Sequence, residues 1–154
     1  MSGADIEARL RRVEAELAIR RILFDYSVHL DAGDWKAYVA LFMPDGEWEN
    51  ADGHYKGRDA IEEMLRTMAG PSSRPGFPTF HLNGNERIDL DGDRATAVSR
   101  YMFVMRAPDD MPRTSLAGMY HDEFVRIGET WLIAKRAAFE IIPTHAEWMV
   151  MNAG

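Results

Sequence analysis

The order of elements in this chain predicts an α+β fold, with helices first and a curved antiparallel sheet after them. Three observations carry that expectation. The first thirty residues keep a helical apolar period. Phe80 to Ile142 breaks into four strand-like runs separated by turns, and the stretch between holds two short helices around a hairpin. A long sheet folded over a long helix makes a cone-shaped barrel whose interior is filled by side chains or by a ligand.

In the first helix Ile6, Leu10, Val13 and Leu17 follow steps of four, three and four, and Ile22, Leu23, Tyr26 and Leu30 continue the stripe. Arg11, Arg12, Glu14, Glu16, Arg20 and Arg21 make a charged, solvated face. The apolar phase slips between Leu17 and Ile22, which predicts a bend or two abutting helices. Ala32-Gly33 is a stop, and Asp34 is an N-cap for a second helix reaching about Phe42. Met43-Pro44-Asp45-Gly46 predicts a turn, Glu47-Trp48-Glu49 a strand, and Asp52-Gly53 a hairpin into His54-Tyr55-Lys56. Gly57-Arg58-Asp59 opens a third helix with Ile61, Met64, Leu65 and Met68 on one face. Pro71, Pro75, Gly76 and Pro78 predict a loop over 70–78, placed to act as a mobile lid. Strands then run Phe80–Leu90, Ala95–Met105, Thr114–Ile127 and Trp131–Ile142. Pro143 ends the last, so the expected domain is 1–142 with a tail over 143–154.

The 154 residues suit one domain, and 46% apolar with 28% charged residues is an ordinary globular balance. The absence of cysteine excludes disulfides, thiolate metal sites and a cysteine nucleophile, and it fits a reducing compartment. With 25 acidic against 18 basic residues the net charge is −7, which argues against a nucleic-acid partner. No run approaches the ~20 apolar residues of a membrane span. The start, Met1 to Glu7, shows no basic region followed by an apolar run, so a cytoplasmic location is expected. His29, His54, His121 and His145 have no ligand spacing with one another, and neither a phosphate loop nor a nucleophile elbow is present. No metal and no cofactor are expected.

Tyr26 to Trp35, then Leu41-Phe42-Met43-Pro44-Asp45-Gly46-Glu47-Trp48, resembles the opening of a SnoaL-like domain of the nuclear transport factor 2-like superfamily. Gly57 to Ile61 resembles the family's third-helix start, Phe80 to Asn85 its first long strand, and Gly118 to Phe124 with Trp131 to Arg136 its last two. The likeness runs from about Ile6 to Ile142. It is strongest to the branch holding scytalone dehydratase, the bile-acid dehydratases and hexachlorocyclohexane dehydrochlorinase. There an Asp ending the first helix and a His on the first long strand remove a proton as a leaving group departs. Carried to this chain, the resemblance implies Asp31 and His81, with Tyr26 as the nearby tyrosine. It also implies a homodimer or homotrimer, which the exposed sheet face of such a fold would favour.

The residue chemistry runs parallel. An elimination needs a base near neutrality, and a carboxylate behind a histidine ring fixes its tautomer. Asp31 sits at the negative end of a helix dipole, where an acid is unfavourable without a further reason. Period two puts His81, Asn83 and Asn85 on one strand face. Tyr26 and Asp31, five residues apart, lie about 140° apart around a helix, so one pocket reaches both only by wrapping the helix or unwinding its last turn. Tyr101, Phe103, Tyr120, Phe124 and Trp131 fall at strand spacings that line the cone, and with Asn83 they are the expected substrate contacts. Some relatives in the family use an arginine in the cavity, and the resemblance does not align which of Arg100, Arg126 and Arg136, if any, corresponds. The expected function is a cofactor-independent lyase of dehydratase type acting on an apolar cyclic or polyketide-like small molecule. The alternatives are an isomerase or aldol-type cyclase, or a non-catalytic module like a dioxygenase small subunit.

Overall fold

The computed structural model describes residues 2–69 and 79–151, so the expected lid over 70–78 lies outside the described residues. Helix α1 (Gly3–Ala32) is one continuous helix, started by a Ser2–Asp5 capping box and ended by Gly33. Gly33 has φ 68°, a left-handed conformation that glycine adopts without a Cβ penalty, and its N–H caps the last carbonyls. The expected bend is absent. The phase slip marks instead a change of face: Ile19, Ile22, Leu23 and Tyr26 are buried, whereas Ile6, Leu10, Val13 and Leu17 are 53–61% exposed.

Asp34 caps α2 (Trp35–Ala40) by accepting from the Ala37 N–H at 3.1 Å. Strand β1 (Phe42–Glu49) then absorbs the turn expected at Met43–Gly46. Phe42 pairs with Ile133 and Glu47 with Lys135, so five steps on β1 answer two on β6 and the extra residues bulge out of the ladder. Arg58 holds this bulge, its guanidinium donating to the Phe42 carbonyl at 2.6 and 3.0 Å. Strand β2 (His54–Lys56) forms the expected hairpin, and α3 (Arg58–Ala69) buries Ile61, Met64 and Leu65.

The long strands are β3 (Phe80–Asp91), β4 (Arg94–Arg106), β5 (Pro112–Ile127) and β6 (Thr130–Ile142). Sheet order is β2-β1-β6-β5-β4-β3, antiparallel except for the parallel pairing of β1 with β6. Register shifts interrupt β3 after Gly84, β5 near Thr114 and β6 twice, and each bulge bends its strand so that the sheet curls around α1. One bulge corrects the period-two reading of β3. Gly84 pairs with Arg100 but Arg87 with Val98, and Asn85 has φ 53°. His81 and Asn83 therefore face α1, Asn85 turns to solvent, and Glu86 takes its place by pairing with Arg20.

Beyond Pro143 the tail forms helix α4 (His145–Met151), capped by Thr144 and Glu147 and burying none of its residues. Among the described residues no helix is long and apolar enough to cross a membrane.

Candidate active site

Asp31 and His81 meet. One Asp31 oxygen accepts from the His81 backbone N–H at 2.8 Å, and the other lies 2.5 Å from ring Nδ1. An ionised carboxylate only accepts, so in the neutral imidazole this contact selects the tautomer with its proton on Nδ1 and its lone pair on Nε2. Nε2 has no partner among the described residues. The Phe103 ring lies against the imidazole, with centroids 4.6 Å apart, and both dyad side chains keep a fifth or less of their surface exposed. This is how an acid at a helix C-terminus comes to be tolerated: it grips a strand through two hydrogen bonds.

Rows of paired residues set the neighbourhood. His81, Phe103 and Leu116 lie side by side across β3, β4 and β5. The next row is Asn83, Tyr101, Gly118 and Glu140, and the one beyond it holds Ser99, Tyr120 and Ala138. Asn83 donates to the Leu23 carbonyl at 3.4 Å, while its side-chain oxygen and the Ser99 hydroxyl are buried without partners among the described residues. The Tyr101 ring stacks on Tyr120 at 4.3 Å and lies directly over Gly118. A Cβ at Gly118 would sit 2.2 Å from the Phe139 carbonyl oxygen and 2.6 Å from the Tyr101 ring. Gly118→Val is thus expected to cost at least about 1–3 kcal/mol, read as a lower urea midpoint, and to expel Tyr101 from its stack.

Tyr26 lies deeper. Its hydroxyl accepts from the Trp48 indole N–H at 3.1 Å, and its ring packs on Tyr38 and Tyr120. Helix α1 stays wound through Ala32, so the last turn does not unwind; the sheet wraps the helix, with β3 meeting Asp31 and β1 meeting Tyr26. Of the three arginines the sequence left open, Arg136 is the interior one. Fully buried, it donates to both oxygens of the equally buried Asp122 at 2.6 and 2.7 Å. Its guanidinium carbon stands 3.8 Å from the Tyr26 ring centre and 4.3 Å from that of Tyr120, and its remaining nitrogen has no hydrogen-bond partner among the described residues. Burial opposes its charge, but the Asp122 carboxylate outweighs burial and holds the guanidinium above its ordinary pKa. Arg126 pairs with Asp93 at the surface, and Arg100 lies in the outward row.

Burial also raises the phenols of Tyr38, Tyr101 and Tyr120. A phenol whose folded pKa exceeds its unfolded one contributes stability that is complete below pH about 10 and is lost as pH climbs toward the raised value. Alkaline absorbance titration should therefore show these three tyrosines ionising only together with loss of near-ultraviolet circular dichroism. Their ionisation in a folded chain near pH 10 would contradict the dry core.

Two expected substrate contacts are not brought to the dyad. Phe124 lies eight residues along β5 from Leu116, and Trp131 pairs still further along with Arg126. Both are buried in the core, where Phe124 pairs with Ile133 and the cluster includes Ile19 and Ile22 of α1, so that part of the cone is filled by side chains. A groove of about 520 Å³ runs along the other side of the same strands, lined by Leu82, Arg100, Met102, Met119 and Ile141; it includes Asn83 and Tyr101 but not His81 or Asp31. The chemistry is better judged from the dyad's geometry than from that groove, whose walls are the outward-facing alternate residues.

Spacing between histidines gave no hint of one further grouping. Asp52, Glu140 and His145 place ligand-type atoms within 4.8 Å of one another. His145 Nδ1 lies 2.9 Å from Glu140 and Nε2 3.5 Å from Asp52, so opposite edges of the ring meet different carboxylates. That is a clamp on the start of α4, not a convergent ligand set.

Helix, wrapped sheet and rim dyad together define a cone of the nuclear transport factor 2-like class. The model of the SnoaL-like domain matches residues 11–137, and the chain belongs to this family. No curated protein matches it in sequence. Among solved structures, a nuclear transport factor 2-like protein with a cystatin-like fold from Novosphingobium aromaticivorans superposes with a TM-score of 0.83 at 23% identity, covering 98% of this chain and 97% of that one. A scytalone dehydratase candidate from the same species gives 0.71 at 28% identity, over 84% and 86%. The hexachlorocyclohexane dehydrochlorinase LinA-type3 from Novosphingobium barchaimii gives 0.73 at 18%, over 86% and 90%.

Proposed function

We propose that this protein is a cofactor-independent lyase of dehydratase type, acting on a mostly apolar cyclic or polyketide-like small molecule. The observation that carries the reading is the Asp31 carboxylate on His81 Nδ1 at 2.5 Å, which leaves Nε2 as a free base. In the proposed step Nε2 takes a proton from a carbon, the electron pair of that bond forms the new double bond, and a hydroxyl on the adjacent carbon departs. The imidazolium, stabilised by Asp31, returns the proton to the leaving oxygen so that water is released.

Phe103 and Leu116 supply the apolar wall beside the base, and the unpaired oxygens of Asn83 and Ser99 are acceptors for substrate hydroxyls. Tyr26 is the polarising group in this reading: its oxygen accepts from Trp48, and in the proposed step its hydroxyl turns to donate to a substrate carbonyl. The Tyr101–Tyr120 stack stands between Tyr26 and the rim, so this role requires the substrate to part those rings. Relatives described as a scytalone dehydratase candidate and a dehydrochlorinase are in keeping with elimination; an isomerase or aldol-type cyclase would use the same proton abstraction and release nothing. The active form is a homo-oligomer, a dimer or a trimer, as the apolar residues left exposed on α1 and the sheet support.

Screening cyclic hydroxy-carbonyl compounds tests the proposal, with product mass as the readout. The expected product is lighter than its substrate by one water. A product of unchanged mass would transfer the site to the isomerase or cyclase reading.

A further inference from the structure

We infer that the outer face of the first half of α1 is a self-association surface, on which helices of separate copies of this chain pack parallel and in register. The inference rests on the homo-oligomer reading above and specifies its surface. Residues 2–14 are exposed throughout, so more than three turns of helix stand clear of the domain core. A helix segment that short has little stability of its own in water, and an uncovered apolar stripe adds nothing to it.

The stripe has the period of a coiled coil, not of a surface helix. Ile6 and Val13 occupy d positions and Leu10 and Leu17 a positions; the next d is Arg20, held by Glu16 and Glu86, and Phe24, 61% exposed, falls at the a beyond it. Ala8, Arg11, Arg12, Ala15 and Ala18, on the b, c and f positions, line the crevice toward Leu90 and Trp131, and the flanking Arg9 and Glu14 border it as well. The crevice and the domain's bulk thus lie away from the a and d seam.

Charge selects orientation and partner together. In a parallel pair each g residue meets the e residue five positions on in the neighbour. Arg9 then meets Glu14, and Glu16 meets Arg21, opposite in sign both times. The antiparallel alignment that overlaps the whole stripe sets Glu14 against its own counterpart and Glu16 against its own. A second copy in parallel is therefore the occupant whose flanking charges match. Leu at a with β-branched residues at d favours three strands or more over two.

Sedimentation of the full chain tests this against a monomer mass of 17.5 kDa. The wild type should sediment as an oligomer. Leu10→Lys with Leu17→Lys, both at exposed positions, should keep the circular dichroism of the fold and weaken association by more than about a hundredfold. Glu14→Arg should weaken it less, and adding Arg9→Glu should restore it. The chain has no cysteine, so Ile6→Cys and Leu17→Cys report orientation cleanly, and each alone should give disulfide-linked dimers. Linking at neither position, or at only one of the two, would overturn the parallel arrangement. An oligomer of unchanged mass in the double lysine variant would overturn the α1 surface but not the homo-oligomer reading, whereas a monomeric wild type would overturn both.

Discussion

Replacing His81 by Ala is expected to lower turnover by about 10²–10⁴-fold, the usual contribution of a positioned general base, with substrate affinity changing far less. The imidazole is held from one side by Asp31 and flanked by Phe103, so its removal deletes the base without disturbing a buried network. Asp31→Asn should lose much of the same factor by a different route. The carboxylate accepts two hydrogen bonds, one from Nδ1 and one from the His81 backbone. An amide can accept at one position only, and its NH2 presented to Nδ1 would select the tautomer with the proton on Nε2, which is the wrong nitrogen. Because Asp31 acts through His81, the double variant should be little worse than the worse single one. Single-turnover kinetics on the three variants read this directly. Unchanged turnover in a folded His81→Ala protein would leave the pocket to a binding function.

Much of this was legible in the sequence, and the gaps have physical causes. The Asp31–His81 pairing came from the family likeness, since fifty residues separate the two and no local pattern joins them. Secondary-structure periods placed the four long strands within a residue or two, but missed the first half of β1, where Met43-Pro44-Asp45-Gly46 predicts a turn. They failed at Asn85, because a single inserted residue reverses the phase of everything after it and a bulge leaves no periodic signature. Phe124 and Trp131 alternate as cone-lining residues do, but period says which face a side chain takes, not whether that part of the cone is hollow. The Arg136–Asp122 pair was hidden for another reason. Two charges on adjacent strands look like a surface ladder until burial is known. The signal that could have found them is their position, each in phase with an inward aromatic: Asp122 two residues after Tyr120, and Arg136 opposite Trp48.

The other large effect expected is on stability, at that buried pair. Asp122→Ala would leave a guanidinium with no exposed surface, one nitrogen already unpartnered, and two tyrosine rings as its remaining company. Ring faces attract the cation but accept no strong hydrogen bonds, so the loss should be about 3–5 kcal/mol, the range for breaking a buried ion pair from one side. Arg136→Met should cost a similar amount by stranding the carboxylate. Replacing both, as Asp122→Leu with Arg136→Met, removes the two desolvated charges together and should recover most of the loss, since matched apolar substitutes for a buried pair are often neutral. Urea midpoints at constant slope measure all three. Recovery in the double variant would show that the pair is retained for what it does to Tyr26 and Tyr120 rather than for stability. A single-variant cost under about 1 kcal/mol would mean that water reaches the guanidinium, and the floor beneath Tyr26 would then be wet.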